Sequence, residues 1–304
     1  MVTIKGLSKT FENGKVTALD SVSFQVSPGE IFGLVGPDGA GKTTLFRMLT
    51  TLLLPDSGSA TIDGYDMVRD YKEIRKNVGY MPGRFSLYQD LTVEENLNFF
   101  ATLFGTTFSE NYHLIRDIYI QIEPFKNRRA GQLSGGMKQK LALSCALIHK
   151  PRVLFLDEPT TGVDAVSRKE FWDLLKRLKE QGISIVVSTP YMDEATLCDR
   201  IALIQIGKIL AVDTPSSIIM RYPEPLYEVR SGQIPRLLMD LRNYRNTLSC
   251  FTFGEYLHLS FKEHHPNALA EMKGYAKGKG HQDIEARSVL PTIEDCFMRL
   301  LKQN

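Results

Sequence analysis

A glycine-rich loop between an apolar strand and a helix is the feature that most constrains how this 304-residue chain can fold. Residues Ile31–Val35 are continuously apolar, and the loop GPDGAGKTT, residues 36–44, follows them directly. A helical pattern then extends over residues 42–52. The order of strand, GxxxxGK[ST] loop and helix predicts an α/β domain built on a mainly parallel sheet.

The chemistry of this loop predicts binding of nucleotide phosphates. Glycines let the backbone turn tightly and point several N–H groups at anionic oxygens, and the following helix adds the positive end of its dipole. Lys42 supplies a cation for the β- and γ-phosphates, and the Thr43 hydroxyl can bind Mg²⁺. Asp38 opposes this, because a carboxylate beside polyphosphate is repelled by roughly 1–4 kcal/mol per charge pair; we expect weakened nucleotide binding. The predicted nucleotide-binding residues are Gly36, Pro37, Asp38, Gly39, Ala40, Gly41, Lys42, Thr43 and Thr44.

Two adjacent acids follow a second apolar run, residues 153–156. At the tip of a strand, Asp157 can complete the Mg²⁺ shell, and Glu158 can activate the attacking water as the catalytic base. A simple capped turn is the alternative, but a phosphate loop in the same domain favours the catalytic interpretation. A third apolar run, residues 183–187, predicts another strand that is covered on both faces.

A second helix start carries glycines in the segment LSGGMKQ, residues 133–139. Ser134 can cap the helix, while Gly135 and Gly136 leave backbone N–H groups open to a further anion. One domain therefore carries two helix starts suited to phosphate.

The composition changes near residues 222–225, YPEP, which predicts a linker between two domains. We predict a nucleotide-binding domain over residues 1–222, with a helical subdomain at about 84–150 that includes helices over 93–105 and 112–122. Residues 223–304 show the order βαββαβ followed by a helix, which predicts a small, ferredoxin-like α+β domain.

The bulk properties exclude several classes of protein. A formal net charge of +2 gives no support for a nucleic-acid binder. The four cysteines are far apart and form no CxxC pair, which argues against a disulfide framework or a zinc site and fits a reducing compartment. The N-terminus lacks the apolar region of a signal peptide, and no apolar run is long enough to span a bilayer.

Taken together, the motifs of residues 1–220 resemble those of ATP-binding cassette (ABC) ATPase subunits, most closely those of ABC-2-type exporters. The resemblance implies binding of ATP and Mg²⁺, a second cassette as dimer partner, and an ABC-2-type transmembrane permease. It implies a peripheral location on the cytoplasmic face of the membrane. It also implies that Phe11 stacks on adenine and that Asp164 belongs to a loop touching the partner subunit. Ser134, Gly135, Gly136 and Gln139 then complete the partner's ATP site. Residues 291–297, PTIEDCF, resemble the end of the C-terminal extension found in this group.

Two positions depart from the family pattern. Gly83 stands where the family has a glutamine that contacts Mg²⁺, and Pro190 stands where it has a histidine that contacts the γ-phosphate. Gln89 lies too far along the loop to be assumed a substitute. Since one preorganised contact is worth about 10²–10³ in rate, we expect this chain's own site to bind ATP and hydrolyse it slowly. Because the segment at Ser134 is intact, we predict that this chain is the degenerate half of an asymmetric pair of cassettes.

Two other classes remain open: a nucleotide-gated regulatory protein without hydrolysis, and a soluble ABC protein acting on ribosomes or DNA. The second class usually carries tandem cassettes or long coiled-coil arms, which this sequence lacks. For an exporter, the permease contact is predicted at residues 83–93 and the helix start that follows, because the apolar side chains there are costly to expose. Phe99, Phe100 and Phe104 repeat at helical spacing and are predicted to be core residues.

Overall fold

The computed structural model describes residues 2–303, and the chain forms two compact units that divide after Pro215. The strands of the first unit are β1 Val2–Phe11, β2 Val16–Val26, β3 Ile31–Val35, β4 Ser57–Ile62, β5 Tyr65–Asp66, β6 Val78–Met81, β7 Val153–Asp157, β8 Ser184–Thr189, β9 Arg200–Gln205 and β10 Lys208–Asp213. Its helices are α1 Lys42–Leu49, α2 Tyr71–Asn77, α3 Val93–Leu103, α4 Phe108–Tyr119, α5 Gly135–Leu147 and α6 Ala165–Glu180.

A six-stranded sheet in the order β10-β9-β3-β8-β7-β6 forms the centre of this unit. All neighbours from β9 to β6 are parallel, and only β10 is antiparallel. The carboxyl ends of β3, β8, β7 and β6 therefore lie at one edge, where α/β proteins bind their ligands. This topology brings the phosphate loop, the acid pair and the segments containing Gly83 and Pro190 to the same edge.

The core of the unit forms where α1 packs on the sheet. The rings of Phe46 from α1 and Phe155 from β7 lie 5.5 Å apart, and Phe24 stacks on Phe32 at 5.0 Å. A second, antiparallel sheet in the order β2-β1-β4-β5 adds Val2, Ile4, Leu7 and other buried side chains to the same cluster. The sequence interpretation did not include this sheet.

Helices α3, α4 and α5 lie between β6 and β7 in the chain. Thr92 and Glu95 form a capping box at the start of α3, and Thr107 and Glu110 form another at the start of α4. Such reciprocal hydrogen bonds set where a helix begins. The predicted start of α4 at residue 112 was therefore wrong by four residues, since Thr107 caps a helix that begins at Phe108.

The second unit contains a four-stranded antiparallel sheet in the order β12-β13-β11-β14. This strand order is the split βαβ arrangement of ferredoxin-like folds. Leu237 and Leu241 of α8 and Met272 of α9 bury against Leu257, Leu259 and other sheet residues. The elements from Pro215 onward are α7 Pro215–Met220, β11 Leu226–Arg230, α8 Ile234–Arg242, β12 Thr247–Phe253, β13 Tyr256–Phe261, α9 Ala268–Gly278, β14 Glu285–Val289 and α10 Ile293–Gln303.

The segment at residues 291–297 forms the start of α10. Thr292 donates to Asp295 at 2.8 Å from its backbone and 2.7 Å from its hydroxyl, and His258 Nδ1 of β13 is hydrogen-bonded to Asp295 Oδ1 at 2.7 Å. Ile293, Cys296 and Phe297 are buried on the same helix. Burial favours the protonated carboxyl of Asp295, but the hydrogen bonds from His258 and Thr292 outweigh it and hold the net pKa below its ordinary value.

All four cysteines are free and buried. Within residues 2–303 no helix combines the length and apolarity needed to cross a membrane. The same residues contain no cluster of three or more histidine, cysteine or acidic side chains able to hold a metal ion by themselves.

Candidate nucleotide site

The phosphate loop joins β3 to α1 at the carboxyl edge of the central sheet. Two of its glycines are required by close backbone packing. A Cβ on Gly36 would lie 2.1 Å from the Ile204 carbonyl oxygen, and one on Gly41 would lie 2.4 Å from the Ala18 carbonyl oxygen. Gly41 also has a φ of 104°, which side chains rarely permit. The loop is thus held against β9 and β2 in a conformation only glycine allows.

Lys42 begins α1 with its side chain almost fully buried. Its ammonium donates to the carbonyls of Gly36 at 2.7 Å and Pro37 at 3.0 Å, and it lies 3.1 Å from Glu158 Oε1. These contacts aim the ammonium across the loop toward the end of β7. Thr43 and Thr44 follow in the first turn of α1, and Asp38 and Gly39 are exposed at the tip of the loop.

Asp157 and Glu158 end β7 beside the neighbouring strand β8. The Ser188 hydroxyl of β8 donates to Asp157 Oδ1 at 2.6 Å and accepts from the Glu158 backbone N–H at 3.0 Å. Asp157 is 1% exposed, while Glu158 is partly exposed and has a φ of 50°. Backbone strain of this kind concentrates at functional sites and persists only where the surroundings enforce it. Ser188 supplies that enforcement here.

Gly83 and Pro190 both lie at this edge of the sheet. A Cβ on Gly83 would stand 3.0 Å from the Asp157 carbonyl oxygen and 3.8 Å from the Asp157 carboxyl carbon. Pro190 directly follows β8, next to the strand that carries the two acids. Gln89 lies further along the loop, where its backbone carbonyl accepts from the Gly131 N–H at 2.9 Å.

The segment at residues 133–139 starts α5, and Ser134 is its N-cap, accepting from the Met137 N–H at 3.4 Å. Gly135 and Gly136 pack beside Gly162 and Ser167, in the stretch that follows Glu158. A Cβ on Gly136 would meet the Ser167 hydroxyl at 2.9 Å. Gln139 lies one turn into α5. Ser134 and Gly135 are solvent-exposed.

Asp164 caps α6 and accepts from the N–H groups of Val166 at 3.1 Å and Ser167 at 3.0 Å. The hydrogen bonds from Ser167, followed by that from Val166, lower the pKa of this carboxyl. Asp164 therefore has a local structural role as the N-cap of α6.

Phe11 ends β1 with its ring 39% exposed. Lys9 lies 5.8 Å from the ring and forms a 2.6 Å ion pair with Asp56. Hydrogen bonds from Lys9 and Thr10 lower the pKa of Asp56 to about 2. An exposed aromatic ring with a fixed cation beside it is suited to stacking on a planar base.

A mainly apolar groove of about 590 Å³ opens beside the loop at residues 83–93. Its lining includes Pro82, Leu87, Phe100, Phe104 and His149. Exposed Leu103 also lines the groove, and the apolar face continues outside it through exposed Tyr88 and Phe99. The prediction that Phe99, Phe100 and Phe104 are core residues was wrong, because α3 buries Val93, Leu97 and Ala101 instead.

Three polar residues that the sequence interpretation missed connect the end of β7 to the end of β8: Ser188, Thr160 and Glu194. Their partners lie on other elements, so no local spacing links them. The only available signal was their position immediately beside the predicted acid pair and the predicted strand end.

Comparison with known proteins places this geometry in a family. A family model described as ABC transporter matches residues 19–161. A Nod factor export ATP-binding protein of Rhizobium sp. strain N33 is 36% identical over 310 residues, covering 98% of this chain and 96% of that protein. The chain belongs to the ABC transporter ATP-binding family. A probable multidrug ABC transporter ATP-binding protein of Escherichia coli K12 is 44% identical over 220 residues, covering 72% of this chain.

The cassette spans only 38% of the length of that Escherichia coli relative. Among solved structures, a dimeric ATP-binding cassette in a post-hydrolysis state bound to ADP and Pi is 28% identical with a TM-score of 0.64. That match covers 70% of this chain and 98% of the other. The α/β P-loop fold of ABC ATPases is therefore shown for this cassette.

ABC ATPase domains bind ATP, typically with Mg²⁺, and the donor set of this cassette fits both. Mg²⁺ prefers one or two carboxylates together with phosphate oxygens, and Asp157 supplies a buried carboxylate at the end of β7. The buried ammonium of Lys42 and the backbone of the loop provide the complementary charge for phosphate.

Proposed function

We propose that this cassette is the ATP-binding subunit of an ABC-2-type exporter, coupled to a separate membrane permease at the cytoplasmic face. Two of its relatives are named for multidrug transport and Nod factor export, which supports export as the process. ATP-driven pairing with a second cassette would supply the work, and the dimeric solved cassette bound to ADP and Pi supports that arrangement.

In this proposal the site formed by the phosphate loop of this chain binds Mg-ATP and hydrolyses it slowly. The observation that carries the proposal is the position of Gly83, whose missing side chain would begin 3.8 Å from the Asp157 carboxyl carbon. Pro190, at the end of the adjacent strand, has no side-chain donor and no backbone N–H. Lys42 and Thr43 remain for binding, Asp157 for the metal, and Glu158 for accepting a proton from water.

The exposed helix start at Ser134 is complete, and it is proposed to serve the ATP site of a partner. Its two glycines leave N–H groups open to an anion, and Ser134 adds a hydroxyl. Asp164 and the α6 start beside it would then contact the partner subunit. The cassette would thus contribute an intact Ser134 segment to the ATP site of its partner, while its own site lacks the side chains replaced at Gly83 and Pro190.

The apolar groove and the exposed face of α3 are proposed to receive the permease. Tyr88, Phe99, Leu103 and Phe104 are exposed together on this face, and contiguous exposed apolar side chains of this kind mark sites of interaction. The patch is continuous with the groove and lies next to the segment holding Gly83. Contact there could therefore be transmitted to the Asp157 side of the nucleotide site.

A mixed-dimer experiment tests the asymmetry with this chain alone. One partner carries Gly83→Gln and Pro190→His to repair its own site, together with Ser134→Arg to disable the helix start that it lends. The other partner is wild type. The mixture should hydrolyse ATP faster than either protein alone, because only the mixed dimer joins a repaired site to an intact Ser134.

The matched control replaces the wild-type partner with Ser134→Arg, which should abolish the gain. Direct ATP binding should persist in wild type and be lost in Lys42→Ala. Rapid turnover by the purified wild-type protein would refute the slow own site. A mixture no faster than its components would argue instead for a nucleotide-gated protein that does not support hydrolysis.

A further inference from the structure

Glu194 is a buried carboxylate at the centre of a polar cluster beside the nucleotide site. It lies in a 3₁₀ turn, Glu194–Leu197, and is 1% exposed. Its Oε1 accepts from the Thr160 hydroxyl at 2.7 Å, and its Oε2 accepts from the Thr189 hydroxyl at 2.5 Å. Both oxygens are thus bound by side chains from different elements.

A positive charge from α6 completes the surroundings of this carboxylate. Arg168 Nε lies 3.7 Å from Glu194 Oε1 and has no hydrogen-bond partner among the described residues. The guanidinium also covers the ring of Tyr191 at 4.3 Å. A buried carboxylate is costly unless hydrogen bonds and opposite charge compensate it, so this cluster is organised around Glu194.

The partners of Glu194 are placed at three functionally distinct points of the chain. Thr160 lies between Glu158 and Asp164, in the turn where the Val163 N–H bonds the Thr160 carbonyl at 3.2 Å. Thr189 is the last residue of β8, immediately before Pro190, and its hydroxyl also accepts from the Tyr191 N–H at 3.1 Å. Arg168 lies one turn into α6, which Asp164 caps.

We propose that Glu194 is a positioning residue that holds the Glu158 turn, the end of β8 and the start of α6 in one arrangement. This role rests on the proposed function in that it requires Glu158 to act on ATP and Asp164 to face a partner subunit. Pro190 offers no hydrogen bond of its own at the strand end, so Thr189 and Glu194 hold that end instead. Glu194 would reach the nucleotide only through these neighbours.

Replacing Glu194 is expected to lower kcat while leaving nucleotide affinity close to wild type. A small displacement of a catalytic group can cost about 10- to 100-fold in rate, and Glu194→Ala should fall in that range. Glu194→Gln keeps the shape and one acceptor oxygen and should retain an intermediate rate. The phosphate loop meets this cluster through the Thr189 backbone carbonyl, which accepts from the Gly36 N–H at 3.2 Å and does not use the hydroxyl bound to Glu194. ATP binding should therefore change by less than about threefold.

Single-turnover hydrolysis with protein in excess over ATP measures the rate, and fluorescent-nucleotide titration measures affinity. Glu180→Gln provides the control, since it removes the same charge from an exposed position at the end of α6. Thr160→Val, made in wild type and in Glu194→Ala, gives a double-mutant cycle. If the two residues act together, the valine should change the rate by less than roughly twofold in the Glu194→Ala background.

Hydrogen exchange of residues 158–164 supplies a readout that does not depend on turnover. Exchange there should rise in Glu194→Ala and stay at the wild-type level in Glu180→Gln. The proposal is overturned if Glu194→Ala lowers only the melting temperature, with rate and exchange in this segment unchanged. The proposed function is judged separately from the absolute wild-type rate, whereas the role of Glu194 is judged from the ratio of variant to wild type and from exchange.

Discussion

Replacing Gly83 with glutamine and Pro190 with histidine should accelerate ATP hydrolysis at the site formed by the phosphate loop of this chain. The Gly83→Gln side chain would begin 3.8 Å from the carboxyl carbon of Asp157, the residue proposed to hold the metal. Pro190→His would return a backbone N–H and a side-chain donor at the end of β8. The Gly36 N–H of the phosphate loop donates at 3.2 Å to the Thr189 carbonyl, which belongs to the peptide bond with Pro190. Pro190→His keeps that acceptor, and neither change replaces a residue of the loop or Lys42, so the affinity for ATP should remain nearly constant.

The expected gain follows from the contacts that are restored. One preorganised contact to the transition state is worth about 10²–10³ in rate, or about 2.7–4 kcal/mol. The new Cβ at position 83 would lie 3.0 Å from the Asp157 carbonyl oxygen, so the backbone must yield by a few tenths of an ångström. This strain reduces the benefit of the glutamine. Because groups acting on one transition state are not additive, the double variant should gain about 10²-fold and less than the product of the single variants.

Single-turnover hydrolysis of Mg-ATP by the purified proteins measures this gain. Gly83→Ala and Pro190→Ala serve as controls, since they introduce the same backbone changes without the polar groups. The reasoning is refuted if the double variant binds ATP normally and hydrolyses it no faster than wild type. It is also refuted if the alanine variants gain as much as the polar ones.

Three further outcomes are expected. Ser188→Ala should destabilise the fold by about 1–3 kcal/mol in chemical denaturation and weaken Mg²⁺-dependent ATP binding, because it removes the donor to Asp157. Gly41→Ala should abolish ATP binding and lower the melting temperature, since the added methyl would overlap a backbone carbonyl of the adjacent strand; normal binding would contradict the packing. Asp295 has a folded-state pKa below its ordinary 3.8, so its stabilising effect is present above that value and is lost as pH falls through the folded-state pKa. Acid unfolding of Asp295→Asn should therefore lack this part of the pH dependence.

Much of the nucleotide site could be predicted because its residues sit in short, contiguous patterns. The strand, loop and helix around Lys42 are adjacent in sequence, and the apolar run of β7 is followed directly by the two acids, Asp157 and Glu158. Parallel pairing then places these segments at one edge of the sheet without further information. The order of strands and helices in the second unit agrees with the βαββαβ pattern, followed by a helix, that the sequence indicates for residues 223–304.

The parts that could not be predicted depend on tertiary neighbours. Strand β1 is paired through several bulges with β2 and β4, so its side chains do not alternate regularly and the antiparallel sheet left no clear pattern. Helical spacing showed that Phe100 and Phe104 share a face of α3, but it could not show that this face lines a groove. The Glu194 cluster joins residues 160, 168, 189 and 194, which no local motif connects.

The 3.1 Å contact between the Lys42 ammonium and Glu158 has a consequence for the order of events in the site. Incoming phosphate and this glutamate compete for one cation, so nucleotide arrival should release the carboxylate at the moment when it acquires a water to deprotonate. Nucleotide binding and the release of Glu158 as a base would then occur in one step. Without nucleotide, Glu158 would stay paired with Lys42.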